Sequence, residues 1–243
     1  MSRIRRHVRP IYSDTYAKRR KWLTAAGVAV GLLLLVAAGV GWHWWQARRG
    51  VAQYAVKGVV LSQADGYQDF SVLSAAGVDF AYLKATQGAS FFDDDFTPNY
   101  DRGRGSAVRL GVYHYFSFDS APEAQAAHFV AKVGKDLGTL PVGLYVTYYG
   151  AYAKNPPAAS TLRAQLTRFI TTLHQATGKT VVLMGSPSVL AACQGLDSHI
   201  ARWVISDQRP KQAAYWQTGT WRLDGADYTA AAFTGSQRAF DQQ

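Results

Sequence analysis

Phe80-Ala81-Tyr82-Leu83-Lys84 and Leu110-Gly111-Val112-Tyr113-His114-Tyr115-Phe116 are short apolar runs, and the stretch between them, 97–107, reads as a helix. Aromatic and β-branched residues suit a pleated, half-buried backbone, so both runs read as strands. The same alternation extends in both directions. Strands are expected at 58–61, 80–84, 110–116, 143–147, 181–184 and 202–206, with helices at 70–76, 97–107, 122–134 and 161–177. Strands alternating with helical stretches indicate βαβ units and a parallel sheet. The ending differs: 214–217, 220–223 and 227–233 are short, aromatic and separated by Gly or Asp, as in hairpins. The expected fold is therefore α/β, an irregular TIM-like β/α barrel finished by antiparallel strands. In such barrels reactive side chains sit at the C-terminal ends of the strands.

Upstream of the barrel pattern, the run 22–42 has Thr24 as its only polar side chain and contains Gly31-Leu32-Leu33-Leu34-Leu35-Val36. About 20 apolar residues cross a bilayer as a helix, so a transmembrane helix is expected over 22–45. Trp42, Trp44 and Trp45 fall where the far interface should lie. The near side, 1–21, carries Arg3, Arg5, Arg6, Arg9, Lys18, Arg19, Arg20 and Lys21 against Asp14 alone, which places the N-terminus in the cytoplasm. The competing reading is a cleaved signal peptide with its site near Val36-Ala37-Ala38. The apolar run continues past that point into the tryptophans, which favours a retained anchor. A linker is expected over 46–57 and one folded domain over 58–243.

The formal charge of +10 belongs to the N-terminal region, because those eight basic residues and Arg48 and Arg49 all precede Gly50. From Gly50 onward the chain is nearly neutral, so the basicity is a topology signal and no nucleic-acid partner is expected. Cys193 is the only cysteine, which excludes an intramolecular disulfide and Cys-spaced metal ligation. It reads as a small buried hydrophobe. No metal or cofactor is expected.

The order of motifs from Lys57 to Gly235 resembles the family 25 glycoside hydrolases, the Chalaropsis-type lysozymes that cleave bacterial cell-wall glycan. Gly58-Val59-Val60-Leu61-Ser62, Asp65-Gly66 and Asp69-Phe70 are similar to the family's G-I-D-V-S…N-G…D-W opening. Phe80 to Gly88 resembles F-A-F-I-K-A-T-E-G, and Gly111 to Phe116 is similar to G-x-Y-H-F-F. Pro122-Glu123-Ala124-Gln125-Ala126 with Phe129 looks like the following P-x-x-Q-A-x-x-F helix. Ser186-Pro187-Ser188, Trp203-Val204-Ile205-Ser206-Asp207, Trp216-Gln217 and Gly225-Ala226-Asp227 then come in the family's order.

Glycoside hydrolysis needs a carboxylic acid to protonate the leaving oxygen and a second carboxylate as base, nucleophile or stabiliser. The resemblance implies that the pair comes from a D-x-E motif at a strand end. The corresponding stretch is Pro141-Val142-Gly143-Leu144-Tyr145-Val146-Thr147, with Tyr145 and Thr147 where the acids should stand. Val60 occupies the opening-strand Asp position and Gln87 the Glu of K-A-T-E-G, while Asp227 is retained. Asp65 and Asp207 are the rescue candidates. Glu123, the only glutamate, reads as a surface residue at a helix start, and Asp93, Asp94 and Asp95 as a solvated run.

Candidate glycan-binding residues are Tyr113, His114, Tyr115, Trp203, Asp207, Trp216 and Asp227, with Tyr145, Tyr148 and Tyr149 beside them. The competing reading is that these rings are core and rim packing. His114, if buried, reads as a packing histidine, and Asp227 reads equally as a turn residue. The segment Tyr148-Tyr149-Gly150 to Pro157 reads as an exposed aromatic loop. The expected protein is a single-pass inner-membrane protein with an extracytoplasmic lysozyme-like pseudoenzyme domain, binding peptidoglycan or scaffolding a membrane protein complex. The alternative is an active tethered muramidase with non-standard carboxylates.

Overall fold

The computed structural model describes residues 13–47 and 50–243, and the chain divides into two compact units, Met1–Arg48 and Arg49–Gln243. In the first, helix α1 spans Ser13–Ala47 and contains an apolar stretch, Arg19–Trp42, with a mean hydropathy of 2.4. Its 24 residues rise about 36 Å, enough to cross a bilayer core. Thr24 Oγ1 donates back to the carbonyls of Arg20 (3.1 Å) and Lys21 (2.9 Å), which satisfies the one polar group of the run. Arg3, Arg5, Arg6, Arg9, Arg48 and Arg49, and the side chains of Asp14, Lys18, Trp44 and Trp45, lie outside the described residues.

The second unit is built from strands β1 (Val56–Leu61), β2 (Phe80–Gln87), β3 (Phe91–Phe92), β4 (Arg109–Tyr115), β5 (Val142–Tyr145), β6 (Val181–Gly185), β7 (Ala201–Ile205), β8 (Tyr215–Leu223) and β9 (Ala226–Phe233). Its helices are α2 (Phe70–Ala75), α3 (Phe96–Gly103), α4 (Pro122–Val133), α5 (Ala159–Thr177), α6 (Pro187–Ala192) and α7 (Gln237–Asp241). Strand order runs β1-β2-β4-β5-β6-β7-β8-β9 and returns to β1, a closed barrel with β3 hung on the outer end of β2. All neighbours are parallel except at β9, which runs antiparallel to both β8 and β1.

Closure separates two apolar cores. One lies between the strands and the outer helices and includes Leu83, Val112, Phe129, Leu166 and Phe169. The other fills the barrel and includes Phe80, Tyr82, Trp203, Tyr215 and Phe233. Trp203 stacks on Tyr215 at 4.7 Å, Tyr82 meets the Trp203 ring edge-on at 4.8 Å, and Tyr82 donates to the Pro141 carbonyl at 2.9 Å. Three of the inner rings face a glycine across the ladder: Phe80 opposite Gly58, Tyr82 opposite Gly111, Tyr113 opposite Gly143. The end of the barrel where the parallel strands begin is stoppered by Phe240 of α7, 5.5 Å from Phe80. Arg109 latches that helix by donating to Gln243 O (2.8 Å) and to Phe240 O.

Several expectations need correction. The stretches 214–217 and 220–223 are one strand, β8, with a bulge between Gln217 and Thr220; Gly219 adopts φ +54 there, so the strand bends without breaking. Of the segment expected as linker, Gly50–Gln53 forms a turn with Val51 buried, and β1 already starts at Val56. Helix α6 starts on the Ser186-Pro187 cap and α7 on Ser236, both too short to carry a periodic signal. A Cβ on Gly111 would stand 2.6 Å from the Tyr82 ring. Gly111→Ala is therefore expected to destabilise the domain by about 1–3 kcal/mol, read as a lower urea midpoint at unchanged slope.

Candidate active site at the barrel mouth

The C-terminal ends of the parallel strands bring Val60, Lys84, Tyr113, Tyr115, Tyr145 and Thr147 to one mouth. Inward positions follow from the pleat, with Val60, Tyr82 and Tyr113 sharing the inner core. Tyr145 lies 6.4 Å from Tyr113 and 5.0 Å from Tyr115, centroid to centroid. Burial raises the pKa of Tyr145, and a hydrogen bond with Thr147 partly offsets it. Burial likewise drives the Tyr113 pKa upward, reinforced by the charges of Asp93 and Asp65, and pushes Tyr115 up to about 12. All three phenols are neutral at neutral pH, and a phenol held this high is a poor proton donor for a leaving oxygen.

The acids lie elsewhere. Asp65 caps the first turn, accepting from the Ser62 backbone N at 2.8 Å and its hydroxyl at 3.2 Å. Asp207 is exposed, as is Asp227, which pairs with Arg222 at 3.2 Å. Asp93, expected to be solvated, is 1% exposed: its carboxylate accepts from Gln63 N (3.0 Å) and Asp95 N (3.2 Å) and ties the β1 and β3 loops together. Burial raises its pKa against those hydrogen bonds. As the first of three consecutive acids in a Phe-Phe-Asp-Asp-Asp-Phe run, it gave no sequence cue to this clamp.

The candidate glycan-binding residues separate into two groups. Tyr113 and Tyr115 line the mouth with Tyr145. His114 points to the outer face, fully buried, between Thr86 Oγ1 (2.7 Å) and Gln125 Oε1 (3.0 Å) and stacked on Phe169 at 4.8 Å. Trp216 is also buried outside the barrel, its Nε1 donating to Ser206 O at 2.8 Å under the edge of Tyr54. Trp203 is 0% exposed and has no surface to offer a sugar. Strand parity turns His114 and Trp216 outward, because residues adjacent in sequence point to opposite faces, whereas Trp203 shares the inner face and is sealed below the mouth. Two buried polar atoms of the interior, Trp203 Nε1 and Gln217 Oε1, have no hydrogen-bond partner.

The tyrosines after β5 form a packed rim rather than a free loop. Phe118 stacks on Tyr148 (5.9 Å) and Tyr149 (5.8 Å), and Asp119 accepts from the Tyr149 hydroxyl (2.8 Å) and the Tyr152 hydroxyl (3.0 Å). Glu123 is exposed beside Arg168 at 3.5 Å, as expected of a surface residue. Sequence reasoning assigned no role to Lys84, although its place two residues after Tyr82 put it on the inner face. Its Nζ donates to Gln87 Oε1 at 2.9 Å and lies 4.7 Å from the Phe91 ring and 5.4 Å from the Tyr115 ring.

Burial lowers the His114 pKa to about 4 from an ordinary 6.5. The unfolded chain takes up this proton near 6.5 and the folded chain resists until about 4. The stability held above that window is therefore lost as pH falls through it, by about 3 kcal/mol. In urea titrations between those pH values, His114→Gln is expected to flatten the slope by about one proton relative to the native chain.

The match to known proteins covers this same barrel. The profile of glycosyl hydrolases family 25 matches residues 59–225. Lysozyme M1 of Streptomyces globisporus is 30% identical over 145 residues, 58% of this chain and 49% of that protein. The N,O-diacetylmuramidase of Arthroderma benhamiae is 28% identical over 182 residues, 66% of this chain and 77% of its own length. The chain spans about half the length of the first of these. Among solved structures, a family 25 glycosyl hydrolase from Bacillus anthracis superposes with a TM-score of 0.72 at 28% identity, covering 78% of this chain and 94% of that one. A bacterial lysozyme from Streptomyces coelicolor gives 0.69 at 26% identity, over 77% and 95%. The chain belongs to glycosyl hydrolases family 25.

Proposed function

We propose that this protein is a membrane-anchored, lysozyme-like domain that binds peptidoglycan glycan at its barrel mouth without cleaving it. One observation carries the reading: the end of β5 presents Tyr145 and Thr147, and 140–150 contains no acid. Val60 at the end of β1 adds a second uncharged side chain. A Thr hydroxyl and a high-pKa phenol supply neither the acid nor the second carboxylate that glycoside hydrolysis requires. The resemblance to lysozymes supports peptidoglycan as the ligand. Tyr113, Tyr115 and Tyr145 offer neutral ring faces of the kind that pack against sugar rings.

The anchor is the apolar helix Arg19–Trp42, with 1–21 cytoplasmic and the barrel domain on the far side of the inner membrane. The length of the span and the basic residues before it support this topology. In membranes from the native host, intact-mass measurement is expected to find the chain with 22–42 still attached. A mature form beginning near Ala38 would replace the anchor with a signal sequence.

The test of the main reading is digestion of purified sacculi by the full chain in detergent beside an active family 25 enzyme. Release of reducing muramic-acid ends is expected to lie at least ~100-fold below the enzyme, the smaller end of what general acid–base catalysis contributes. The chain is expected to sediment with the sacculi. Release near the enzyme's rate, abolished by Asp65→Asn or Asp227→Asn, would establish hydrolysis by relocated carboxylates. Failure to sediment would favour a protein scaffold.

A further inference from the structure

We propose that Lys84 is a carboxylate-binding residue of the barrel mouth, which makes a carboxylate-bearing saccharide the preferred ligand. This inference rests on the reading that the mouth takes cell-wall glycan.

Lys84 lies on the inner face of β2, and its ammonium is held between the Phe91 and Tyr115 rings at 4.7 and 5.4 Å. Its hydrogen-bond acceptor is the neutral amide oxygen of Gln87 at 2.9 Å. Among the described residues, no carboxylate forms an ion pair with it within 4.0 Å. Asp93 favours its charged form only from farther away, and that carboxylate is already occupied by the backbone N–H groups of Gln63 and Asp95. An ammonium has three donors, and ring faces attract its charge without accepting N–H bonds as an oxygen does.

The side chains beside Lys84 at the mouth are uncharged, while the carboxylates of Asp65 and Asp93, each held by its own hydrogen bonds, act on Tyr113 from the adjoining loops. Val60, Tyr113, Tyr115, Tyr145 and Thr147 supply apolar surface and hydroxyls. Their phenols keep their protons because burial raises their pKa values. A half-buried cation in such surroundings interacts with an anion more strongly than a surface lysine does, because less water screens it.

Position 87 sets the sign of the mouth. A carboxylate there, 2.9 Å from Nζ, would neutralise Lys84 internally. The amide holds the ammonium in place and leaves its charge for a ligand.

The experiment titrates the full chain in detergent micelles with three probes: the GlcNAc–MurNAc disaccharide with its lactyl carboxylate free, the methyl ester of that disaccharide, and chitobiose. The native chain is expected to bind the free acid about tenfold more tightly than the ester, with the preference shrinking as salt rises. Gln87→Glu, nearly isosteric, is expected to bring acid and ester within about twofold of each other. Lys84→Met is expected to do the same. Equal affinity of the native chain for acid and ester would overturn the Lys84 assignment and leave glycan binding at the mouth standing. A preference that survives both substitutions would also overturn it, by locating the responsible cation elsewhere. No binding of any probe would overturn the assignment together with the reading beneath it.

Discussion

The close packing of aromatic rings against glycines inside the barrel is the constraint on which the rest of this fold depends. Gly58 and Gly111 lack the Cβ that would collide with the Phe80 and Tyr82 rings, and Gly143 the one that would meet Met184 and the Tyr113 Cβ. Large-against-small pairing admits Phe80 and Tyr82, and Trp203 and Tyr215 fill the remaining interior by stacking on each other at 4.7 Å, where each buries on the order of 150–250 Å². Those rings fix the spacing of the parallel strands, and the hairpin to β9 closes the remaining gap with antiparallel pairing on both sides. The alanines of β9, Ala230 to Ala232, keep that last strand thin enough to enter.

The same packing decides what the mouth can be. Residues directly above the ring layer stand half in a low-dielectric interior, where an unpaired charge is costly. The sequence meets that cost with neutral groups: Val60, the phenols of Tyr113, Tyr115 and Tyr145, and the Thr147 hydroxyl. Lys84 is the exception, and its environment treats it as one. Burial lowers its pKa and the more distant Asp93 carboxylate works against that, while ring faces and an amide oxygen surround the ammonium without cancelling its charge. Asp93 is handled differently: it is withdrawn from the mouth into a loop clamp, where two backbone N–H groups satisfy it.

Around this mouth, the ends of β4 and β5 carry a rim in which Phe118, Tyr148, Tyr149 and Tyr152 interlock over the Asp119 carboxylate. Rigid rings with satisfied hydroxyls lose little entropy when a sugar packs on them, which is the behaviour required of a binding surface.

Much of this was legible in the chain itself. Runs of β-branched and aromatic residues marked the strands of the parallel series, because a pleated backbone leaves a period-two signature that survives tertiary packing. The 24-residue apolar helix and the lone cysteine followed from composition alone. The absence of any acid between Leu140 and Gly150 was likewise plain from the letters. What only the tertiary structure decided was which face each side chain takes and what it meets there. Tyr113 and Tyr115 reach the mouth while His114 between them is buried under α4 and α5, and Trp203 and Trp216 disappear into two different cores. Asp93 changes from a solvated acid to a buried clamp, and Lys84 from a motif letter to the charge of the mouth. Chain-local pattern records period and polarity, whereas burial and charge balance come from partners dozens of residues away that only barrel closure brings into contact.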